Sequence, residues 1–321
     1  MSATVGRTGG GTQGIRKGDA LTQLHGVVPP VCTPLTPERE LDVPSLERLA
    51  AFLIENGMHG LFVTGSTGEV AYLPDETRYR ALEVVAGVAA GQVPVLAGVI
   101  DTTTPRVIEH ARAAKAAGAD ALVATAPFYA PTHPLEFPGH FHAIRAAVDL
   151  PLVAYDIPVS VGHKLPTDVV VALTEDGTLD AVKDSSGDLD GLRALLEADV
   201  PVRCFSGSEV LADVGLFLGA HGLVPGLGNV DPAGYLRLYE AARRGDWDAA
   251  KTEQTRLRRL FRLIHVGDGR MGRYSSAIGA FKEGLVARGV LTGGTTSAPM
   301  IPLDETERGA VRQHLAEAGL L

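Results

Sequence analysis

From His25 to about Gly226 the chain repeats one unit: a short apolar, β-branched run, a polar turn, an Ala/Leu-rich amphipathic stretch, then Gly or Pro. An apolar run bounded by turn residues reads as a strand buried on both faces. An apolar stripe recurring every three or four residues reads as a helix packed against it. The strands expected are 26–33, 60–65, 94–99, 121–127, 151–156, 179–185, 202–208 and 222–226. Helical stripes run over 44–56, 75–90, 105–117, 135–148, 188–198 and 209–218. Asp75 and Thr104 stand where a helix should begin, and Gly57, Gly91 and Gly118 stand just past where one should end.

Eight apolar strands alternating with helices imply a parallel sheet covered on its outer face. Eight such units closing on themselves give an α/β fold, the (β/α)8 TIM barrel. A doubly wound open sheet is the alternative, but it rarely needs so many regular units. After the eighth strand the pattern is helical only, over 235–244, 247–264, 274–288 and 305–317. The organisation expected is a flexible tail at 1–24, a barrel catalytic domain at 25–245, and a C-terminal helical extension, or subdomain, at 246–321.

Composition narrows the function classes. Of 321 residues 45% are hydrophobic and 21% charged, which excludes a wholly disordered chain. A net charge of −9 argues against a nucleic-acid partner. The one basic run, 256–262 (RLRRLFR), reads as the solvated face of an amphipathic helix. Cys32 and Cys204 sit in apolar segments and read as buried, reduced thiols. No apolar run is long enough to cross a membrane, and the N-terminus carries no secretory pattern, so a cytoplasmic protein is expected. The glycine cluster near the N-terminus follows no strand, which removes a dinucleotide loop.

In a barrel of this kind the chemistry lies at the C-terminal ends of the strands. There the sequence places Ser66-Thr67-Gly68-Glu69, Phe128-Tyr129, Tyr155-Asp156, Lys183-Asp184-Ser185 and Ser206-Gly207-Ser208. The chain has only six lysines against 23 arginines, and Lys183 alone interrupts a strand pattern. An inward lysine is costly to bury while charged, and its neutral amine is the form that attacks a ketone. The alternative is a strand-end lysine reaching water or pairing with Asp184 or Asp188. Tyr155 faces the same rim, and a phenol can pass protons if a hydroxyl relay serves it. Ser66 or Thr67 could supply that relay. The turn 66–68 suits a carboxylate, or it is an ordinary turn capping a helix. Glu69 reads as an anchor for that loop. His140 and His142 are two residues apart and cannot share a helix face, which disfavours a metal-dependent aldolase.

Taken together, GSTGE at 65–69, Phe128-Tyr129, Tyr155-x-x-Pro158 with Gly162, VKDSSGD at 182–188 and HGLVPGLGNVDP at 221–232 resemble the dihydrodipicolinate synthase / N-acetylneuraminate lyase family. The resemblance implies class I chemistry on pyruvate or a substrate that releases it, without metal or organic cofactor. It matches Lys183 to the Schiff-base lysine and Tyr155 to the proton-shuttling tyrosine. Ser66 and Thr67 match the hydroxyl pair that holds the 2-oxo acid carboxylate, with Ser66 relaying protons. Tyr129 matches a tyrosine inserted into a neighbouring subunit's site, which implies a homo-oligomer, a dimer of dimers. Gly207 and Val224 match positions that line the pocket.

Departures bear on the second substrate. Synthases that condense pyruvate with aspartate semialdehyde carry an arginine two residues after the proline, where this chain has Ser160. A short hydroxyl does not replace a bidentate carboxylate clamp. The reading is therefore a lyase or aldolase joining pyruvate to an aldehyde, with a 2-oxo-3-deoxy sugar acid as substrate type. A dehydratase using the same imine, 4-hydroxy-tetrahydrodipicolinate synthase, and a non-catalytic 2-oxo acid binder are the alternatives.

Overall fold

The structure, a computed structural model, describes residues 24–321. Eight strands are present: β1 Gly26–Val27, β2 Leu61–Val63, β3 Val95–Gly98, β4 Ala121–Ala124, β5 Leu152–Asp156, β6 Ala181–Asp184, β7 Arg203–Ser206 and β8 Gly222–Leu223. All pair in parallel, in the order β1-β8-β7-β6-β5-β4-β3-β2. The ring closes between β1 and β2 at the end of the order. Pro30 bridges Phe62, whose N–H donates to the Pro29 carbonyl at 3.0 Å, and the Val31 N–H donates to the Phe62 carbonyl at 2.8 Å. The expected TIM barrel is therefore the fold.

Several strands are shorter than the apolar runs suggest. Pro29 and Pro30 have no N–H for the ladder, so the 26–33 run pairs regularly over only two residues. Each strand splits its residues between two cores. Val28, Phe62, Leu96, Val123, Val153 and Phe205 point into the barrel, whereas Val63, Leu122, Leu152, Val182 and Cys204 pack outward on the helices. Cross-strand spacing is tight enough that a Cβ on Gly98 would stand 2.1 Å from the Thr64 carbonyl oxygen. Only glycine fits there.

The helices are α1 Val43–Glu55, α2 Asp75–Ala89, α3 Thr104–Ala116, α4 Phe137–Ala147, α5 Pro158–Val161, α6 Thr167–Glu175, α7 Leu189–Glu197, α8 Ala212–Leu218, α9 Pro232–Arg243, α10 Trp247–Leu260, α11 Arg273–Ala287 and α12 Glu305–Glu317. Asp75 and Thr104 are first helical residues rather than caps; Pro74 and Thr103 precede them. Gly57, Gly91 and Gly118 do follow helix ends, all with left-handed φ. The 209–218 stripe becomes helical only from Ala212. The Glu209 carbonyl instead accepts from Gln254 Nε2 at 2.8 Å, and its side chain turns to the Gly226 N–H. In the basic run on α10, Leu257 and Leu260 are buried, Arg258 and Arg259 are exposed, and Arg256 binds Asp231 and Glu253.

Burial pushes both thiols, Cys32 and Cys204, up to about 12, and neither forms a disulfide. Among the described residues no helix is long and apolar enough to cross a membrane. The expected tail lies outside the described residues except for Leu24, which is buried against the barrel interior.

His140 on α4 is buried, its Nε2 donating to the Thr125 carbonyl at 3.1 Å and its Nδ1 accepting from the Thr104 hydroxyl at 2.9 Å. Burial lowers its pKa from 6.5 to about 4. Between those values the unfolded chain binds a proton that the native state refuses. The contribution is whole above pH 6.5 and is lost as pH falls toward 4, a change of about 3 kcal/mol. Urea unfolding at pH 7 and pH 4.5 should show this loss in the wild type and a smaller loss in His140→Gln. Equal losses would place the acid sensitivity elsewhere.

Candidate active site

Lys183 and Tyr155 are direct register partners on β6 and β5. Strand alternation sends Val182 out to the helices and Lys183 inward, leaving it 5% exposed. Its Nζ lies 3.9 Å from the Tyr155 ring centroid and 5.0 Å from that of Phe62. The two rings meet edge to face at 6.2 Å. Among the described residues no carboxylate pairs with Lys183, so neither Asp184 nor Asp188 neutralises it. Asp184 instead accepts the Ser186 N–H at 2.7 Å, and burial raises its pKa. Asp188 lies 3.7 Å from Lys164, which also binds the buried Asp156 at 2.7 Å. Burial is the largest influence and opposes the Lys164 charge, but the hydrogen bond to Asp156 together with the charges of Asp156, Asp184 and Asp188 outweighs it, and the pKa rises. Below the amine the barrel is apolar, lined by Val28, Val123, Val153, Phe205 and Val224 among others.

Gly207 gives this amine its space. A Cβ there would stand 2.0 Å from Ser185 Oγ and 3.1 Å from Lys183 Cε. Its N–H closes the β6–β7 ladder on the Asp184 carbonyl at 2.7 Å.

The 65–69 turn is not a helix cap, as one reading of the sequence had it. Turns fill the chain from Ser66 to Tyr72, and α2 begins only at Asp75. Glu69 N–H donates to the Ser66 carbonyl at 2.9 Å. Among the described residues the N–H groups of Ser66, Thr67 and Gly68 have no acceptor. Such a cluster of free donors suits an anion. Beside it, a Cβ on Gly226 would lie 3.2 Å from Thr67 Oγ1 and 3.1 Å from Glu209 Oε1. Glu209 accepts the Gly226 N–H at 2.9 Å, and burial raises its pKa against the opposing pull of that bond and of Lys183.

The remaining residues stay apart. No hydrogen bond joins the Tyr155 hydroxyl to Ser66 or Thr67 among the described residues, so a direct relay between them is not closed within this chain. Ser160 is exposed on α5. Tyr129 is 95% exposed and has a left-handed φ of 75°. Two residues escaped the sequence reading. Lys282 on α11 is fully buried against Glu69, and Tyr274 donates to the Ser66 carbonyl. The signal for Lys282 existed: it lies four residues after Ile278 and three before Leu285, on an apolar face. Nothing in the sequence pattern marks Tyr274. Among the described residues no group of three or more His, Cys, Asp or Glu is placed to hold a metal ion.

The model of the dihydrodipicolinate synthetase family matches residues 23–318. An uncharacterized DapA-like lyase of Halobacterium salinarum is 35% identical over 298 residues, covering 93% of this chain and 95% of the relative. N-acetylneuraminate lyase of Citrobacter koseri is 34% identical over 245 residues, covering 75% and 82% respectively. Among solved structures, YagE, a prophage protein of the dihydrodipicolinic acid synthase family from E. coli K12 in complex with pyruvate, superposes with a TM-score of 0.86 at 26% identity. That match covers 92% of this chain and 99% of the other.

Proposed function

The chain belongs to the dihydrodipicolinate synthetase family, a family that includes lyases, and on that premise we propose that it forms an imine between Lys183 and pyruvate or another 2-oxo acid. The observation that carries this is a buried amine with no anionic partner among the described residues, seated on the faces of Tyr155 and Phe62. The Lys183 amine attacks the C2 carbonyl carbon, and the carbonyl oxygen leaves as water once protonated. Tyr155 moves the protons of this step and of the later step on the aldehyde oxygen. The free N–H groups of Ser66, Thr67 and Gly68 and the two hydroxyls receive the carboxylate, with Ser66 relaying protons through the Tyr129 that a neighbouring subunit inserts, while Gly207 and Val224 bound the pocket. The imine, deprotonated at C3, attacks an aldehyde, and the reverse sequence cleaves a 2-oxo-3-deoxy acid.

The second substrate is an aldehyde without a carboxylate at the 157–165 loop. Ser160 supplies no clamp, and the loop's lysine, Lys164, is already engaged by Asp156 and Asp188. The solvent-facing Tyr129, which like Leu135 after the same strand and Val159 after β5 is a large apolar or aromatic side chain left exposed, suits insertion into a neighbouring subunit of a homo-oligomer, a dimer of dimers. The protein works in the cytoplasm.

Borohydride reduction with pyruvate should add the reduced adduct mass to Lys183, read by intact mass and peptide mapping, and Lys183→Ala should take none. Folded wild-type protein that takes no adduct from any 2-oxo acid would leave a binding protein as the better reading.

Tyr155→Phe should lower turnover by roughly 10²–10⁴-fold while leaving the fold intact, as expected for loss of a positioned acid–base group. A smaller loss, measured with the identified aldehyde, would move the proton transfer to another group.

Mixing Lys183→Ala with Tyr129→Phe subunits tests the shared site. A hetero-oligomer contains sites that hold both Lys183 and a neighbour's Tyr129, so activity should exceed that of either variant alone. No recovery after verified subunit exchange would mean that Tyr129 does not cross between subunits.

A further inference from the structure

The C-terminal helices reach the barrel mouth. Lys282 on α11 is 0% exposed; its ammonium lies against Glu69 Oε1 and donates to the Thr295 carbonyl at 2.6 Å. Glu69 is equally buried, and its Oε2 accepts the Ser297 N–H at 2.6 Å. Tyr274, in the first turn of α11, donates to the Ser66 carbonyl and packs at 5.6 Å on Tyr72. On the opposite side the Thr33 hydroxyl donates to the Gly68 carbonyl at 2.8 Å. The turn is thus gripped at Ser66, Gly68 and Glu69, while its N–H groups at 66–68 remain free for a ligand.

Two features argue that the grip sets shape. Glu69 has a φ of 62°, a left-handed conformation that a side chain other than glycine's rarely adopts. Its neighbours hold that conformation from the side-chain end. A buried ion pair is also a poor route to stability, because desolvating two charges cancels most of their attraction. A packed apolar pair would serve stability as well, but it would not fix the direction of the turn.

Resting on the imine reading above, we propose that Lys282 and Tyr274 are positioning residues that hold the Ser66-Thr67 turn in its carboxylate-receiving shape, through Glu69 and through the Ser66 carbonyl. Affinity for the carboxylate of the 2-oxo acid is then a property of α11 as much as of the barrel. The imine-forming amine lies on β6, outside this grip, so loss of the grip weakens capture of the anion and leaves the amine's reactivity in place.

The test compares borohydride trapping of pyruvate with that of methyl pyruvate, its uncharged ester, in wild type, Tyr274→Phe and Glu69→Gln/Lys282→Met. The double variant removes both charges together and leaves neither unpaired. In Tyr274→Phe the half-saturating pyruvate concentration should rise about fivefold, the effect of one lost neutral hydrogen bond. In the double variant it should rise about tenfold or more. The value for methyl pyruvate should stay unchanged in both. Tyr274→Phe removes a single hydroxyl and decides the matter whether or not the double variant folds. Equal changes for the two probes, or no change for pyruvate, would overturn the proposal. Wild-type protein that traps neither probe would sink the imine reading first, and this inference with it.

Discussion

A primary amine enclosed in a β-barrel must be solvated by something other than water, and two aromatic faces, those of Tyr155 and Phe62, meet this one. Around Lys183 the inward positions of the neighbouring strands are Tyr155, Phe205 and, across the barrel, Phe62 and Val224. Tyr155 and Phe62 present π faces to the nitrogen, an attraction that stabilises a cation without taking up a lone pair or placing an anion beside it. A carboxylate at that position would hold the nitrogen as a fixed ion pair. The nearby acids are disposed of otherwise: Asp156 and Asp188 go to Lys164, and Asp184 goes to the backbone of Ser186. The β5–α6 segment therefore does two things at once. It draws Lys164 over the outward acids and leaves the inward amine unpaired.

Space for the amine depends on a single missing carbon. With a Cβ at Gly207, Ser185 Oγ, which would stand 2.0 Å away, would have to turn aside, and Lys183 Cε, at 3.1 Å, would be crowded as well. Gly98 performs the same task between β2 and β3, just below the turn that carries Ser66 and Thr67. The two ends of the proposed substrate, its ketone and its carboxylate, are thus received by elements whose close approach rests on glycine. One is a rigid strand. The other is a turn that no regular structure holds, so it draws its rigidity from Thr33, Tyr274 and the Glu69–Lys282 pair.

Much of this was legible in the sequence because it follows from periodicity. Eight apolar runs, their order and the inward direction of Lys183 come from alternation and from turn residues, which are local properties. Strand length was not, since Pro29 and Pro30 end regular pairing within a run that is apolar throughout. Helix caps shifted by a residue because Asp75 and Thr104 fit the first turn as well as the cap position. The larger gap lies in contacts between segments some two hundred residues apart. A pattern reader sees Lys282 as a helical lysine and assigns it to solvent. Only the fold shows that its partner, Glu69, waits in a turn far back in the chain. Glu69 was legible as an anchor, but not what it anchors to.

The same reasoning bears on how barrel and C-terminal helices divide the work. A helical appendage that only covered the barrel would meet it through apolar side chains, since these bury area without a desolvation cost. α11 does so along Ile278, Phe281 and Leu285, yet at the mouth it sends in an ammonium and a phenol. Both polar contacts converge on one turn of five residues, and among the described residues both leave the N–H groups at 66–68 without an acceptor, beside the point where Thr67 meets Gly226. Polar burial concentrated in this way is costly for packing and useful for direction. On the proposed role of that turn, α11 is better understood as part of what shapes it than as a separate cover laid over a finished barrel.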